Sequence, residues 1–164
     1  MIMGIKYQIK LILVFFITFL ALLGCSQQNQ DVSGNNNYQK QSTGTRILEW
    51  DDINEIGWIK VLIEESNFGD KGVEIAEIYF PPGYQDIAHM HQLEILYVLE
   101  GELDHIVNGV SHILTPGMLG IVKEPDLVVH RSNSENGVRV LVIWPHGKEV
   151  QVLDEEELRE IKLN

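Results

Sequence analysis

The stretch GYQDIAHMHQLEILYVLEG, residues 83–101, decides how this chain is read. One residue separates His89 from His91, inside a segment that otherwise reads as extended. Side chains alternate faces along a strand, so residues i and i+2 point the same way, about 6–7 Å apart. Glu94 follows at the head of a second strand pattern that runs to Leu99. A tight bend at Gln92-Leu93 would return the Glu94 carboxylate toward the two imidazoles; with the opposite hand, Gln92 would face them. Two imidazole nitrogens and a carboxylate converging on a point make a divalent metal site.

Strand patterns at short intervals flank this stretch. Trp58–Ile63 alternates in part and Val73–Phe80 more clearly, and Pro81-Pro82-Gly83 stops the latter. Pro removes a ladder donor and Gly permits the turn. Further strands are expected at about 87–91, 94–99 and 102–107. Asn108-Gly109 is a two-residue hairpin signal, because a type I′ turn needs positive φ twice. Val110–Leu114 returns, Thr115-Pro116-Gly117 turns, and Met118–Val122, Leu127–Arg131 and Val138–Trp144 complete the set. Many short strands separated by Gly and Pro turns predict an all-β sandwich or barrel. The tail, Asp154–Lys162, reads as one short helix, with acids at its start and a lysine near its end in the sense that suits the helix dipole.

The first residues are different in kind. Lys6 and Lys10 precede an apolar run from Leu11 to Leu23, of signal-peptide length and short for a membrane span. Leu22-Leu23-Gly24-Cys25 resembles a bacterial lipobox, which implies that residues 1–24 are a leader and that Cys25 carries lipid. Cys25 is also the only cysteine, so the fold has no internal disulfide. Residues 26–45 are rich in Gln, Asn, Ser and Gly and cannot bury enough surface to offset their ordering entropy. With Cys25 they read as a flexible tether, which leaves 46–164 as a single folded domain. The expected location is the cell envelope, with the domain held to a membrane by its lipid on the extracytoplasmic side.

The motif region resembles the cupin superfamily. His89-x-His91 with Glu94 and Gly101 is similar to its first motif, and Leu96-Tyr-Val-Leu-Glu-Gly-Glu102 matches the strand that usually ends it. Gly117, Pro125, His130 and Asn133 supply the residue types of the second motif. The gap between His91 and Glu94 is shorter than the family usually shows, and Leu127 stands where a Gly is expected. The resemblance implies a single jelly-roll β-barrel. It also implies one divalent ion, Fe, Mn, Ni or Zn, held by His89, His91, Glu94 and His130, and a homodimer paired through edge strands.

Four further residues are candidates to line a pocket. His105 and His112 lie on the two arms of the Asn108-Gly109 hairpin and could reach the barrel mouth. Trp144 and His146 share parity with Val140 and Val142, so an inward face there would wall and cap a pocket. Tyr97, out of phase with Glu94, reads as core or interface packing.

Without Lys6 and Lys10, 10 of the 12 basic residues remain against 24 acidic ones, a net charge near −14. That balance argues against nucleic acid as a partner and against anionic headgroups. The expected partners are a small molecule and, through lipid, a membrane. No serine or second cysteine presents itself as a nucleophile, so catalysis would run through the metal. Three readings follow: a metal-dependent enzyme of the oxygenase type on a small organic molecule; a non-catalytic module that binds or senses a small molecule or metal; and a dimerisation scaffold whose metal is structural.

Overall fold

The computed structural model describes residues 44–50, 56–68, 72–153 and 158–163. The expected leader, Cys25 and nearly all of the tether lie outside them. The elements in chain order are β1 (Arg46–Glu49), β2 (Trp58–Ile63), α1 (Glu65–Phe68), β3 (Glu74–Phe80), β4 (Leu93–Glu100), β5 (Leu103–Val107) and β6 (Val110–Leu114). They continue with β7 (Leu119–Lys123), β8 (Val128–Ser132), β9 (Val138–Trp144), α2 (Glu149–Leu153) and β10 (Arg159–Lys162).

The strands form two antiparallel sheets. One has the order β10-β1-β2-β3-β9-β4-β7 and the other β6-β5-β8. Their facing sides enclose the core in the all-β jelly-roll arrangement expected from the strand pattern. Alternation decides what enters it. Strand β3 turns Ala76, Ile78 and Phe80 inward, and β9 turns Val138, Val140, Val142 and Trp144 inward, all 5% exposed or less. By the same parity Glu94 shares the inner face of β4 with Leu96 and Val98, and His130 that of β8 with Val128. Polar groups therefore enter the barrel because their strands leave no other direction for them.

Asn108 and Gly109 both take positive φ, 51° and 78°, as the two-residue turn between β5 and β6 requires. Residues 84–91 do not form a continuous strand. They run beside β8 through two isolated bridges, Gln85 with Arg131 and His89 with Val128. His89 exchanges both backbone hydrogen bonds with Val128, at 3.1 and 2.8 Å, which is enough to fix the direction of its side chain.

The C-terminal segment differs from expectation. The helix there is α2, at Glu149–Leu153, ahead of the predicted span. Arg159–Lys162 is instead strand β10, antiparallel to β1, with Arg46 opposite Lys162 and Glu49 opposite Arg159. Residues 154–157 lie outside the described residues. Strand β10 takes up the backbone groups on the edge of β1 away from β2, and Arg46 pairs with Glu160 at 3.1 Å while Arg159 pairs with Glu49. Ladder bonds and ion pairs outweigh the weak helical preference of a few charged residues.

Candidate metal centre

Four elements deliver the site. The 84–91 segment brings His89 and His91, β4 brings Glu94, β8 brings His130, and β9 brings Trp144. The Nε2 atoms of His89 and His91 are 2.9 Å apart. His91 Nε2 is 3.2 Å from Glu94 Oε2, and His130 Nε2 is 3.2 Å from Glu94 Oε1. Ligands about 2.1 Å from a common ion sit about 3.0 Å apart at a right angle and about 3.4 Å apart in a tetrahedron. The three successive separations have that length.

The outward nitrogens explain why these atoms face inward. His89 Nδ1 is 2.8 Å from the Ile87 carbonyl oxygen. His130 Nδ1 is 2.8 Å from Asp86 Oδ2, while Asp86 Oδ1 accepts the His130 backbone N–H at 2.7 Å. His91 Nδ1 lies 3.2 Å from Glu149 Oε2, an ion-pair contact too poorly aligned for a full hydrogen bond. Each Nδ1 thus faces an acceptor, in a hydrogen bond at His89 and His130 and in a poorly aligned contact at His91, so Nε2 is the nitrogen turned to the site. Two bare lone pairs 2.9 Å apart repel, so the geometry calls for a cation, a proton or a metal ion, between His89 and His91. The four expected ligands are joined as a chain of neighbouring contacts; among the described residues, the groups whose ligand atoms all lie within 4.8 Å of one another are Asp86, His89 and His130, and Glu94, His105 and His130.

Packing fixes the rings and the carboxylate. Phe80 stacks between Tyr84 and His130, with centroids at 5.1 and 5.6 Å. Trp144 Nε1 donates to Glu94 Oε2 at 3.2 Å, so this indole both walls the site and orients the acid. Buried Glu74 accepts the Val150 backbone N–H at 2.9 Å, which pins the start of α2 and with it Glu149.

The electrostatics follow from these contacts. Burial works against charge on His130, but Glu94 and Asp86 flank it and hold its pKa up at about 10. Burial raises Glu94, yet His130 and His91 outweigh it and bring it down to about 2. His91 is raised: Glu149 and Glu94 overcome the opposing effect of its burial. His105 is lowered to about 4 by burial and by the neighbouring His130. Carboxylate and imidazolium hold each other in place where an ion would replace the proton.

The other candidates separate clearly. Gln92 is exposed while Glu94 is 2% exposed, which settles the hand of the bend. His105 is buried, its ring 5.3 Å from that of His130. His112 and His146 are exposed: His112 shares the face of its cross-strand partner His105 but sits on edge strand β6, and His146 lies beyond the end of β9. Tyr97 is 38% exposed on the outer face of β4.

A pocket of about 390 Å³ opens on the centre. Ile59, Ile78, Leu96 and Val142 form its apolar side, Glu94, His91 and His130 its polar end, and Val152 and Leu153 of α2 close over it. Sequence reasoning missed Asp86 and Glu149. Asp86 sits in the opening stretch three residues before His89, but its partner is 44 residues away, and Glu149 belongs to a helix the periodicity did not reveal.

Comparison with known proteins agrees with this architecture. The cupin-domain family model matches residues 76–144, the span holding Glu94, His130 and both motifs. No curated protein matches the chain. Among solved structures, an RmlC-like cupin from Shewanella frigidimarina is 19% identical with a TM-score of 0.55, over 70% of this chain and 95% of its own. A predicted oxalate decarboxylase from Thermotoga maritima is 18% identical with a TM-score of 0.55, over 66% of this chain and 99% of its own. KdgF from Halomonas sp. is 14% identical with a TM-score of 0.51, over 63% of this chain and 89% of its own. At these identities the likeness establishes the fold: the chain is folded as a cupin jelly roll.

Proposed function

We propose that His89, His91, Glu94 and His130 bind one divalent metal ion, and that this centre makes the chain a metal-dependent enzyme of the oxygenase type on a small organic molecule. The observation that carries the reading is that the Nδ1 edges of His89 and His130 meet outward acceptors and that of His91 faces Glu149, with each Nε2 left facing its neighbour or Glu94. Three imidazoles and one carboxylate suit Fe, Mn, Ni or Zn and leave coordination positions for other ligands. Such an ion supplies Lewis acidity or, if redox-active, a route to dioxygen chemistry.

The chain's own residues do the rest. Asp86, Glu149 and the Ile87 carbonyl keep the imidazoles in one tautomer and one orientation. Trp144 holds one oxygen of Glu94. The apolar walls suit a substrate with an apolar body that fits about 390 Å³.

We further read the chain as a lipid-anchored, extracytoplasmic homodimer that does not engage nucleic acid. The lipobox-like Leu22–Cys25 supports the anchor, and the acidity of the chain supports the last point. Cross-strand pairs Tyr97–Leu119 and Ile95–Ile121 on the outer face of β4 and edge strand β7 support pairing between copies.

Elemental analysis of the purified protein beside His91→Ala and His130→Ala tests the centre. About one equivalent of a transition metal, lost in both variants, is expected; metal-free protein that takes up none of the four ions would sink the reading. With the centre loaded, oxygen consumption across a panel of small organic acids and phenols separates an oxygenase from a module that binds without turnover.

A further inference from the structure

His105 has no part in the centre described so far, yet it faces inward on β5, 3% exposed and directly opposite His130 in the ladder. Its Nδ1 edge is set against Gly120, where an added Cβ would come within 2.8 Å. Its Nε2 is buried and has no hydrogen-bond partner among the described residues. An unpartnered buried nitrogen is costly, and native structures rarely keep one without a ligand or a water to meet it. One ring nitrogen of His105, one of His130 and a carboxylate oxygen of Glu94 all lie within 4.8 Å of one another. His105 is absent from the pocket lining, whereas Glu94 and His130 both contribute to it. The His105 nitrogen therefore approaches these two residues from the closed side.

We infer that Glu94, His105 and His130 form a second, inner position for a divalent transition-metal ion, behind the one completed by His89 and His91. Two imidazoles and one carboxylate are a sufficient set for such an ion, with remaining positions open. Donors around an ion at about 2.1 Å span at most about 4.2 Å, and a His130 nitrogen and a Glu94 oxygen are already 3.2 Å apart. Both positions share Glu94 and His130, and one ion would occupy one or the other. The inference rests on the reading that Glu94 and His130 serve a metal, and adds to it a site that survives loss of His89 and His91.

Cobalt(II) is the probe, because its visible spectrum reports the number and type of ligands. The full chain is compared with His89→Ala/His91→Ala and with that double variant carrying His105→Leu as well. The double variant is expected to retain close to one equivalent of cobalt with affinity reduced at least about 10-fold, and the triple variant to lose it. Anomalous diffraction from cobalt-soaked crystals of the double variant should place the ion against the His105 ring. His105→Gln in the double background covers the case in which Leu disturbs the fold, and should also abolish binding.

No cobalt in the double variant while the full chain binds it overturns the inner position and leaves the outer one standing. Equal binding by double and triple variants overturns the role of His105. No cobalt in the full chain removes both.

Discussion

The imidazole of His105, on β5, occupies space left by the missing side chain of Gly120, on β7 in the opposite sheet. A Cβ at Gly120 would lie 2.8 Å from His105 Nδ1, 3.0 Å from its Cε1 and 3.1 Å from Leu114 Cδ1. The two residues are a fitted pair across the barrel: a buried histidine at one position demands glycine at the other.

Gly120→Ala tests that pairing. Where the backbone permits it, exchanging Gly for Ala stabilises by about 0.4–1 kcal/mol through the unfolded chain. Here overpacking, typically about 1–3 kcal/mol, opposes it. Crowding should win, because the ring has the Glu94–His130 pair on its other side. Thermal denaturation should show Gly120→Ala destabilised by about 1 kcal/mol, and Gly120→Ala/His105→Ala less destabilised than the two single changes added together. Simple additivity would mean that the ring moves aside freely.

How much of this was legible beforehand depends on the range of the interaction. Alternation is local, but it reaches the site only conditionally: Glu94 depends on the bend at Gln92-Leu93 and Trp144 on an inward face for Val140 and Val142, while His130 comes from the family resemblance alone. The hairpin at Asn108-Gly109 is local as well. Strands β1 and β10 pair residues more than a hundred positions apart, as Arg46 with Glu160 shows, and their sequences carry no alternation strong enough to announce them. The outward acceptors of the three histidines were hidden for the same reason: Asp86 becomes meaningful only once β8 lies beside it. His105 and His112 are equal candidates for the barrel mouth in the sequence; they share a face, and only the pairing of β5 with β8 on its other side sets His105 beside His130 and apart from His112.

Asp86 takes the Nδ1 proton of His130 at 2.8 Å and its backbone N–H at 2.7 Å. Asp86→Asn keeps the shape but removes the charge and can present its amide N–H₂ to the ring. Metal affinity should fall by about 10- to 100-fold, the usual cost of losing such an outer partner. Competition with a chromophoric chelator measures it. Unchanged affinity would show that the Phe80–Tyr84 stack alone holds the ring.

The outer face of β4 and β7 carries Tyr97, Leu119 and Ile121 at 38%, 50% and 63% exposure. A contiguous apolar surface on an edge strand is a liability unless something covers it. If a second copy does, Ile121→Glu should convert the dimer to monomer in light scattering at micromolar concentration, with metal content unchanged because Ile121 points away from the barrel interior. A monomeric parent protein would refute the pairing.

Acid and alkali should destabilise the metal-free protein through different groups. His105 has a folded pKa of about 4 against an ordinary 6.5, so the unfolded chain binds its proton first. Stability therefore falls as pH drops from 6.5 toward 4, by on the order of 3 kcal/mol at the limit. Below 4.5 the loss continues as Glu94, held down at about 2, is protonated. His130 has the opposite sign. Its folded pKa is raised to about 10, so its contribution is complete below 6.5 and is lost as pH rises toward 10. Denaturant melts from pH 4 to 10 should accordingly show a maximum near neutrality. A metal ion on Nε2 of His130 replaces the proton there, so binding at pH 7.5 should release about one proton. Calorimetry in buffers of different ionisation enthalpy reads that number directly. Zero release would mean that His130 is already neutral at that pH, and that the ion does not compete with the proton His130 shares with Glu94.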